Sequence, residues 1–590
     1  MCGVIGVVGN ENIMPTLLHS LRKLEYRGYD SAGIATLNGG HVIVRKGVGS
    51  LDRVEHSHRL SELEGTVGIG HVRWATHGGV NEKNAHPHFD CQRRIAVVHN
   101  GIIENYQELR AELSKRHTFT SETDTEVIAH LIEEGLMNGA KLEHAVHETI
   151  KKLRGSYALL AISSHDPGTI VAARKDSPLV VGVGNGRNFI ASDTLCFAGQ
   201  TDQVIYVQDG ETVVLTDEYV RILDESQNPV ERLSERIDSN LEDVTKQDHP
   251  YFMLKEILEQ PLTIRRAAIQ DSKLIMDIAM EILRARNVIF TACGTSRHAA
   301  LIGRYVFSRL GGKFSDVINA SEFQYFSDSV DKSTLVVAVS QSGETADVIA
   351  GVKEAKERGA RIISLVNVVG STLARLSDQA LYLQCGPEIA VAATKSFTGQ
   401  LVIFYELAFA MMNRLESGLT KIKSLSHHVE ANLKLCIPSL TDLANDLKYA
   451  RDFYFLGRGI NFAVAAEGAL KLKEVAYVHA EGMPAGELKH GTLALIDSET
   501  PVIAICPADS TFNDTLSNVA ETKARGGYVV GVSDRDNPLF DRHIIIPEVE
   551  EIFYPLVSIP PLQFLAYHSA VARNLNPDRP RHLAKSVTVK

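Results

Sequence analysis

The chain has 590 residues, 44% of them hydrophobic and 23% charged, with a formal net charge of -11. A chain this long outgrows one hydrophobic core, so several domains are expected. The acidic balance argues against a general nucleic-acid binder and against attraction to anionic membranes. The longest apolar run, LVIFYELAFAMM from Leu401, falls short of the roughly 20 residues of a membrane span and contains Glu406. The start lacks the basic segment of a secretory signal. Seven cysteines (Cys2, Cys91, Cys196, Cys293, Cys385, Cys436 and Cys506) are scattered without a C-x-x-C pair. That fits a reduced, cytoplasmic protein and weighs against a disulfide scaffold or a zinc site.

Up to about residue 225, short strand-like runs broken by glycine predominate, among them GVIGVVG, GIATL, RIAVVHNG and YALLAIS. They predict layered sheets with some helical cover. The polar stretch ESQNPVERLSERIDSNLEDVTKQDHP reads as a connection between domains. After about residue 280, apolar runs alternate with helical stretches, the pattern of parallel βαβ units. This half also looks duplicated. NVIFTACGTSRHAA at 287 pairs with DFYFLGRGINFAVA at 452, LVVAVSQSGETADVI at 335 with VIAICPADSTFNDTL at 502, and ERGARIISLVN at 357 with ARGGYVVGVSD at 524. Three matches in one order predict two similar α/β subdomains.

The first constellation begins at Cys2. A small residue after Met1 permits removal of the initiator methionine, which would leave Cys2 with a free α-amine. That amine titrates near ~7.7–8.0, so its neutral fraction can serve the thiol as base. Read alone, Cys2 is more simply a buried strand cysteine. In HVRWATHGG (71–79), Arg73 can hold a carboxylate bidentately or form a surface ion pair. In VVHNGIIEN (97–105), Asn100 and Gly101 read either as an Asn-Gly turn or as an amide and a backbone N–H forming an oxyanion hole. In SETDTEVIAH, Thr123 and Glu126 are spaced as a capping box, which puts Asp124 in the first turn of a helix.

Together with EYRGYDSAG (25–33), these segments resemble the glutamine amidotransferase domain of the N-terminal-nucleophile class. The resemblance implies that Cys2 attacks the glutamine side-chain amide with its own α-amine as base, and that Asn100 and Gly101 stabilise the oxyanion. Arg73 would take the α-carboxylate and Asp124 the α-ammonium of glutamine, with Thr76 and His77 adding contacts. Trp74 would gate the ammonia path.

The second constellation lies in the duplicated half. SQSGET (340–345) follows a predicted strand and precedes a helix starting near Glu344 or Thr345. Its hydroxyls and backbone N–H groups suit an anion, although a plain helix cap fits as well. The counterpart ICPADSTFN keeps only part of the hydroxyl pattern, so only the first subdomain is expected to bind phosphate. NFAVAAEGALKLKEVAYVHAEG (461–482) reads as one helix with Glu467, Lys471 and Glu474 on one face. The rest of that helix is apolar, which predicts burial and shifted proton affinities rather than a surface ladder. His490 follows in AGELKHG, and Lys585 sits in a polar tail that alone reads as solvated.

With ACGTS (292–296), VAATK (391–395) and LAKSVTV (583–589), this half resembles the isomerase half of the glutamine–fructose-6-phosphate aminotransferase family. The resemblance implies an α/β multidomain protein. A glutaminase domain of layered αββα sheets over 2–225 would be followed by a linker at 226–250. Two three-layer sugar-isomerase subdomains would span 275–415 and 445–580, ahead of a catalytic tail at 581–590. It implies that D-fructose 6-phosphate is held by Cys293, Gly294, Thr295, Ser296, Ser340, Gln341, Ser342 and Thr345. Lys585 would form a Schiff base at C2 of the sugar, and Glu474 would move the proton between C1 and C2 with Lys471 assisting and Glu467 in support. His490 would open the ring from the neighbouring subunit of a homodimer. No metal or organic cofactor, nucleic acid or membrane is implied. One departure is Ala392-Ala393, where the family often has a serine, so only backbone contacts are expected there. A sugar-phosphate sensor, or an amidotransferase with another acceptor, remain alternatives. A sensor would have no use for Glu474, His490 and Lys585.

Overall fold

The computed structural model describes residues 2–197, 199–237 and 245–588. The chain forms two compact units, one of residues 1–244 with 584–590 and one of residues 245–583. Among the described residues no helix is long and apolar enough to cross a membrane.

The first unit is built on two antiparallel sheets. Strand β1 (Gly3–Gly9) lies inside an eight-stranded sheet, between β2 (Val67–Arg73) and Arg187–Ala191. Strand β3 (Ile95–Ile103) belongs to a seven-stranded sheet and pairs along its whole length with Gly155–Ser163. Side chains alternate across each strand. Val4 and Val8 of β1 therefore meet Ala96, Val98 and Leu160 between the sheets. Ile5 and Val7 point the other way, onto Leu17 and Leu21 of α1 (Met14–Leu24). On the far side, Val97 and Leu159 are covered by Val127, Ile128 and Leu131 of α2 (Glu126–Met137). The layers run helix, sheet, sheet, helix, as the apolar strand runs imply. The linker starts later than 226: Pro229–Val230 and Glu235–Arg236 still pair as edge strands, one in each sheet. Polar composition misleads there because an exposed edge strand needs little apolar surface.

The second unit holds two five-stranded parallel sheets of the same topology. In the first, β4 (Asn287–Ala292) is flanked by Asp316–Asn319 and by β5 (Thr334–Ser340), followed by Arg361–Val366 and Gln379–Tyr382. Helix α3 (Gly294–Arg309) follows β4, and α4 (Ala346–Glu357) follows β5. In the second, β6 (Asp452–Gly457) is flanked by β7 (His479–Pro484) and by Pro501–Ile505, then Tyr528–Ser533 and Arg542–Ile545. All three matched sequence pairs occupy equivalent strands, so the duplication is structural.

One apolar core serves both sheets. At its centre runs α5 (Lys395–Met411), buried from Lys395 through Ala410. The apolar run from Leu401 is thus a core helix, buried on all sides. The 461–482 segment is not one helix. α6 (Ile460–Ala476) ends where Tyr477 adopts a left-handed φ of 56°, and residues 479–484 turn back as β7. The chain passes so close that a Cβ on Gly482 would lie 2.4 Å from the Cα of Ala466.

Candidate functional site

In the first unit, Cys2 immediately precedes β1, whose ladder begins at Gly3 opposite Val72. Cys2 is therefore held at the edge of a central strand. Cys2 Sγ lies 3.3 Å from both the N and the O of Trp74, the residue after β2. Burial raises the thiol pKa, against the Trp74 hydrogen bond and the Arg73 charge that lower it. The thiol is thus held protonated and needs a base to become a nucleophile.

Asn100 and Gly101 are not a turn. They lie within β3, opposite Ala158 and Tyr157. Gly101 has φ +128°, and a Cβ there would sit 2.1 Å from the carbonyl oxygen of Ser156, so only glycine fits. Asn100 is buried, and its Oδ1 has no hydrogen-bond partner among the described residues.

Asp124 is buried and accepts a 2.8 Å bond from Ile103 N. The capping box does not form. Helix α2 starts at Glu126 with Thr125 as N-cap and no side-chain cap. Glu126 instead accepts from Thr120 N, Ser121 N and Ser121 Oγ at 2.7–2.8 Å, tying down the loop that presents Asp124. Arg73 donates to the carbonyls of His77, Gly78 and Gly79. Cys2, Arg73, Trp74, Thr76, His77, Gly101 and Asp124 line one cleft, together with His86, His99, Thr123 and Thr125. Asn100, the residue before Gly101, is not part of its wall.

A group of buried histidines backs this cleft and was not assigned from sequence. His71 stacks on His86 at 4.0 Å, and His86 meets His88 edge-on at 4.7 Å. His99 Nδ1 lies 3.0 Å from Thr125 Oγ1, and Thr123 Oγ1 lies 3.1 Å from His88 Nε2. Burial keeps all four neutral: His71 is lowered to about 3, His86 and His88 lie well below their ordinary value, and His99 is lowered. His71 and His99 stood inside quoted motifs, but a histidine on an apolar strand carries no mark of its role.

In the second unit the polar stripe of α6 meets the first turn of α3. Lys471 Nζ, fully buried, lies 2.5 Å from Glu474 Oε2, 2.9 Å from Thr295 Oγ1 and 3.6 Å from Glu467 Oε1. Thr295 donates to Glu467 at 3.1 Å, and His298, one turn along α3, lies 2.8 Å from the other Glu467 oxygen. Burial opposes the Lys471 charge. The Glu474 and Glu467 carboxylates outweigh it and raise its pKa above the ordinary lysine value. His298 was missed because its spacing from Thr295 matters only once α3 faces α6.

The SQSGET loop joins β5 to α4, whose N-cap is Thr345 and whose first helical residue, Ala346, lies one past the expected start at Glu344 or Thr345. Ser340 Oγ lies 3.0 Å from Thr345 Oγ1 and accepts from Gly343 N at 3.1 Å, and Ser342 Oγ accepts from Glu344 N at 3.1 Å. Gln341 lies between them, and its carbonyl accepts from Asn367 N. Cys293 is the N-cap of α3, and its thiol is raised to about 11, chiefly by burial. Gly294 opens α3 at φ +52°, and Ser296 Oγ accepts from Gln400 at 2.9 Å. In the duplicate loop, Asp509 fills the equivalent place. Its carboxylate accepts from Thr511 N, Thr511 Oγ1 and Asn461 Nδ2 at 2.7–2.8 Å. In the VAATK segment, Ala392 is buried, and Val391 N donates to the Asp578 carbonyl. His490 is exposed at the end of the 3-10 turn Ala485–His490. Lys585 falls in the 584–590 segment that groups with the first unit.

These folds define a glutamine amidotransferase domain followed by a duplicated sugar-isomerase fold. The comparisons agree. Residues 71–198 match the glutamine amidotransferase domain family, and residues 281–410 and 446–573 each match the SIS domain family. The chain is 47% identical to a glutamine–fructose-6-phosphate aminotransferase (isomerizing) of Thermococcus kodakarensis and 46% identical to one of Pyrococcus horikoshii, each over the full length of both chains. The solved C-terminal domain of glucosamine-fructose-6-phosphate aminotransferase from Francisella tularensis superposes with a TM-score of 0.54 at 32% identity. That match covers 57% of this chain and all of that one. The chain belongs to the glutamine–fructose-6-phosphate aminotransferase (isomerizing) family.

Proposed function

We propose that the chain converts D-fructose 6-phosphate and L-glutamine to D-glucosamine 6-phosphate and L-glutamate, the opening step of amino-sugar synthesis. The carrying observation is the Lys471–Glu474 pair on α6, its lysine buried and held against Thr295 at the first turn of α3. A carboxylate fixed by a buried ammonium suits proton transfer between adjacent sugar carbons.

In the glutaminase reaction the α-amine of a processed Cys2 takes the thiol proton, and Sγ attacks the side-chain amide. Gly101 N–H, on the cleft wall, and the amide of the adjoining Asn100 are the donors assigned to the developing oxyanion. Arg73 and Asp124 take the α-carboxylate and α-ammonium, and Thr76 and His77 add contacts. Ammonia leaves with the proton, and water hydrolyses the thioester to glutamate. Ammonia then passes Trp74 to the sugar.

At the isomerase, the loop from Ser340 to Thr345, with Cys293, Gly294, Thr295 and Ser296, receives the sugar phosphate. Asp509 repels an anion from the duplicate loop, which supports phosphate binding in the first subdomain alone. Lys585 forms a Schiff base at C2 of the opened sugar, and ammonia displaces it to leave a C2 imine. Glu474 removes a proton from C1 and returns it to C2, with Lys471 holding its charge and Glu467 holding Lys471. The product is the 2-amino aldose. His490 opens the ring in the partner of a homodimer; its exposure supports that role. Seven free cysteines support a cytoplasmic location.

Incubation with glutamine and fructose 6-phosphate, followed by mass spectrometry, tests the proposal. Aminated hexose phosphate should appear with equimolar glutamate. Glutamate without aminated sugar would contradict it. Cys2→Ala should lose glutamine use and keep sugar isomerisation.

A further inference from the structure

The fold gathers one set of metal-ligating side chains away from the groups used above. Cys91 lies in the turn before β3, His117 in the segment after the helix Tyr106–Leu113, and His130 and Glu133 one turn apart on α2. Their Sγ, imidazole nitrogen and carboxylate oxygen atoms all lie within 4.8 Å of one another. Cys91 Sγ is 3.6 Å from His117 Nδ1 and 3.8 Å from His130 Nδ1. Glu133 Oε2 is 2.9 Å from His117 Nδ1 and 3.1 Å from His130 Nδ1.

We infer that Cys91, His117, His130 and Glu133 form a structural zinc site. Zinc–sulfur bonds of about 2.3 Å and zinc–nitrogen or –oxygen bonds of about 2.0–2.2 Å place tetrahedral ligands roughly 3.3–3.7 Å apart. The sulfur–nitrogen distances are 3.6 Å, inside that range, and 3.8 Å, just above it. The carboxylate needs to withdraw by about half an ångström, the change from a hydrogen-bonded to a metal-bound pair. A thiolate, two imidazoles and a carboxylate suit zinc better than magnesium or calcium, which take oxygen ligands.

A second, independent feature is the outer shell. Each imidazole turns Nδ1 inward and Nε2 toward another carboxylate: His117 Nε2 is 3.4 Å from Glu134 Oε1, and His130 Nε2 is 3.9 Å from Glu126 Oε1. With Nδ1 on the metal, each imidazole would carry its proton on Nε2, on the side of that carboxylate. His130 is fully buried, and its Nε2 has no hydrogen bond among the described residues. Cys91 is exposed and gives the ion a way in. All four ligands belong to this chain, which leaves no open position for substrate, so the ion is a staple rather than a reactant. It fastens two loops to α2, the helix that follows the Thr123–Thr125 segment of the glutaminase cleft. Sequence spacing conceals the site, because the ligands come from two loops and a helix instead of a C-x-x-C pair.

The test uses the full chain stripped of metal and titrated with Co(II), then Zn(II). One equivalent of cobalt should give tetrahedral visible bands and a thiolate-to-cobalt band in the near ultraviolet, and zinc should displace both. Zinc should also raise the melting temperature. Cys91→Ser, at an exposed position, should fold normally by circular dichroism and lose the near-ultraviolet band. His117→Ala should weaken zinc binding at least tenfold. Absence of the band in the wild type, or an undiminished band in Cys91→Ser, would overturn the inference.

Discussion

Lys471 and Glu474 form the closest ion pair in the interior of the second unit's polar cluster, at 2.5 Å, with the lysine fully buried and the glutamate at the edge of solvent. The geometry gives the two residues different duties. Glu474 is partly open to solvent. Lys471 cannot leave, because it also neutralises the buried Glu467.

Glu474→Gln should therefore fold and fail catalytically. The isomerising kcat should fall by about 10²–10⁴-fold, the usual worth of a positioned acid–base group, while glutamine hydrolysis persists. Lys471→Met should instead destabilise the second unit by about 3–5 kcal/mol, because it leaves the Glu467 charge buried without its ammonium. Steady-state kinetics and denaturant titration separate the two. Equal loss of stability in both variants would contradict the division of roles.

Asn100 and Gly101 make a matched prediction for the first unit. Asn100→Ala should lower glutaminase kcat by about 10²–10³-fold, as loss of one oxyanion donor does, with glutamine affinity kept. Gly101→Ala should damage the fold itself, since its Cβ would lie 2.1 Å from Ser156 O at a φ of +128°. Thermal melts should place Gly101→Ala well below Asn100→Ala; coincident melts would count against the strand geometry.

The phosphate loop is tested by Thr345→Ala. Loss of one hydrogen bond to a charged group costs about 1.5–3 kcal/mol, so KM for fructose 6-phosphate should rise roughly 10–100-fold. The equivalent change in the duplicate loop, Thr511→Ala, should leave KM unaltered. A rise in both would show that both subdomains bind the sugar.

The histidine group sets a pH limit. His71 titrates at about 3 in the folded chain, and His86, His88 and His99 are also lowered. In the unfolded chain each titrates near ~6.5. Between those values the unfolded chain binds more protons, so stability is intact above about pH 6.5 and is lost as pH falls below it. At pH 5 the loss should approach about 2 kcal/mol for each histidine that stays neutral. Trp74, the only tryptophan, lies in the first unit, so its fluorescence reports that unit alone. Denaturation midpoints that match at pH 7.5 and pH 5 would contradict the buried, neutral assignment.

Much of this was legible in one sequence. The duplication could be read because three strand–turn pairs keep their order, and the topology repeats with them. Cys2, Arg73 and Asp124 stand in separate short motifs far apart in the chain, and the fold brings all three to one cleft. The errors share one cause. The 461–482 helix was overextended because Tyr477 and the strand after it show their nature only once β6 offers an edge. The Thr123–Glu126 capping box failed because Glu126 found better donors in the preceding loop. His298, the buried histidines and the Cys91 cluster depend on contacts between segments far apart in the chain, where periodicity and spacing carry no signal.

The most direct measurement supplies glutamine labelled with ¹⁵N in the side-chain amide, fructose 6-phosphate and an excess of unlabelled ammonium. Internal delivery of ammonia from Cys2 predicts glucosamine 6-phosphate carrying ¹⁵N, with one glutamate formed per sugar. Unlabelled product, or glutamate released with no aminated sugar, would contradict the account.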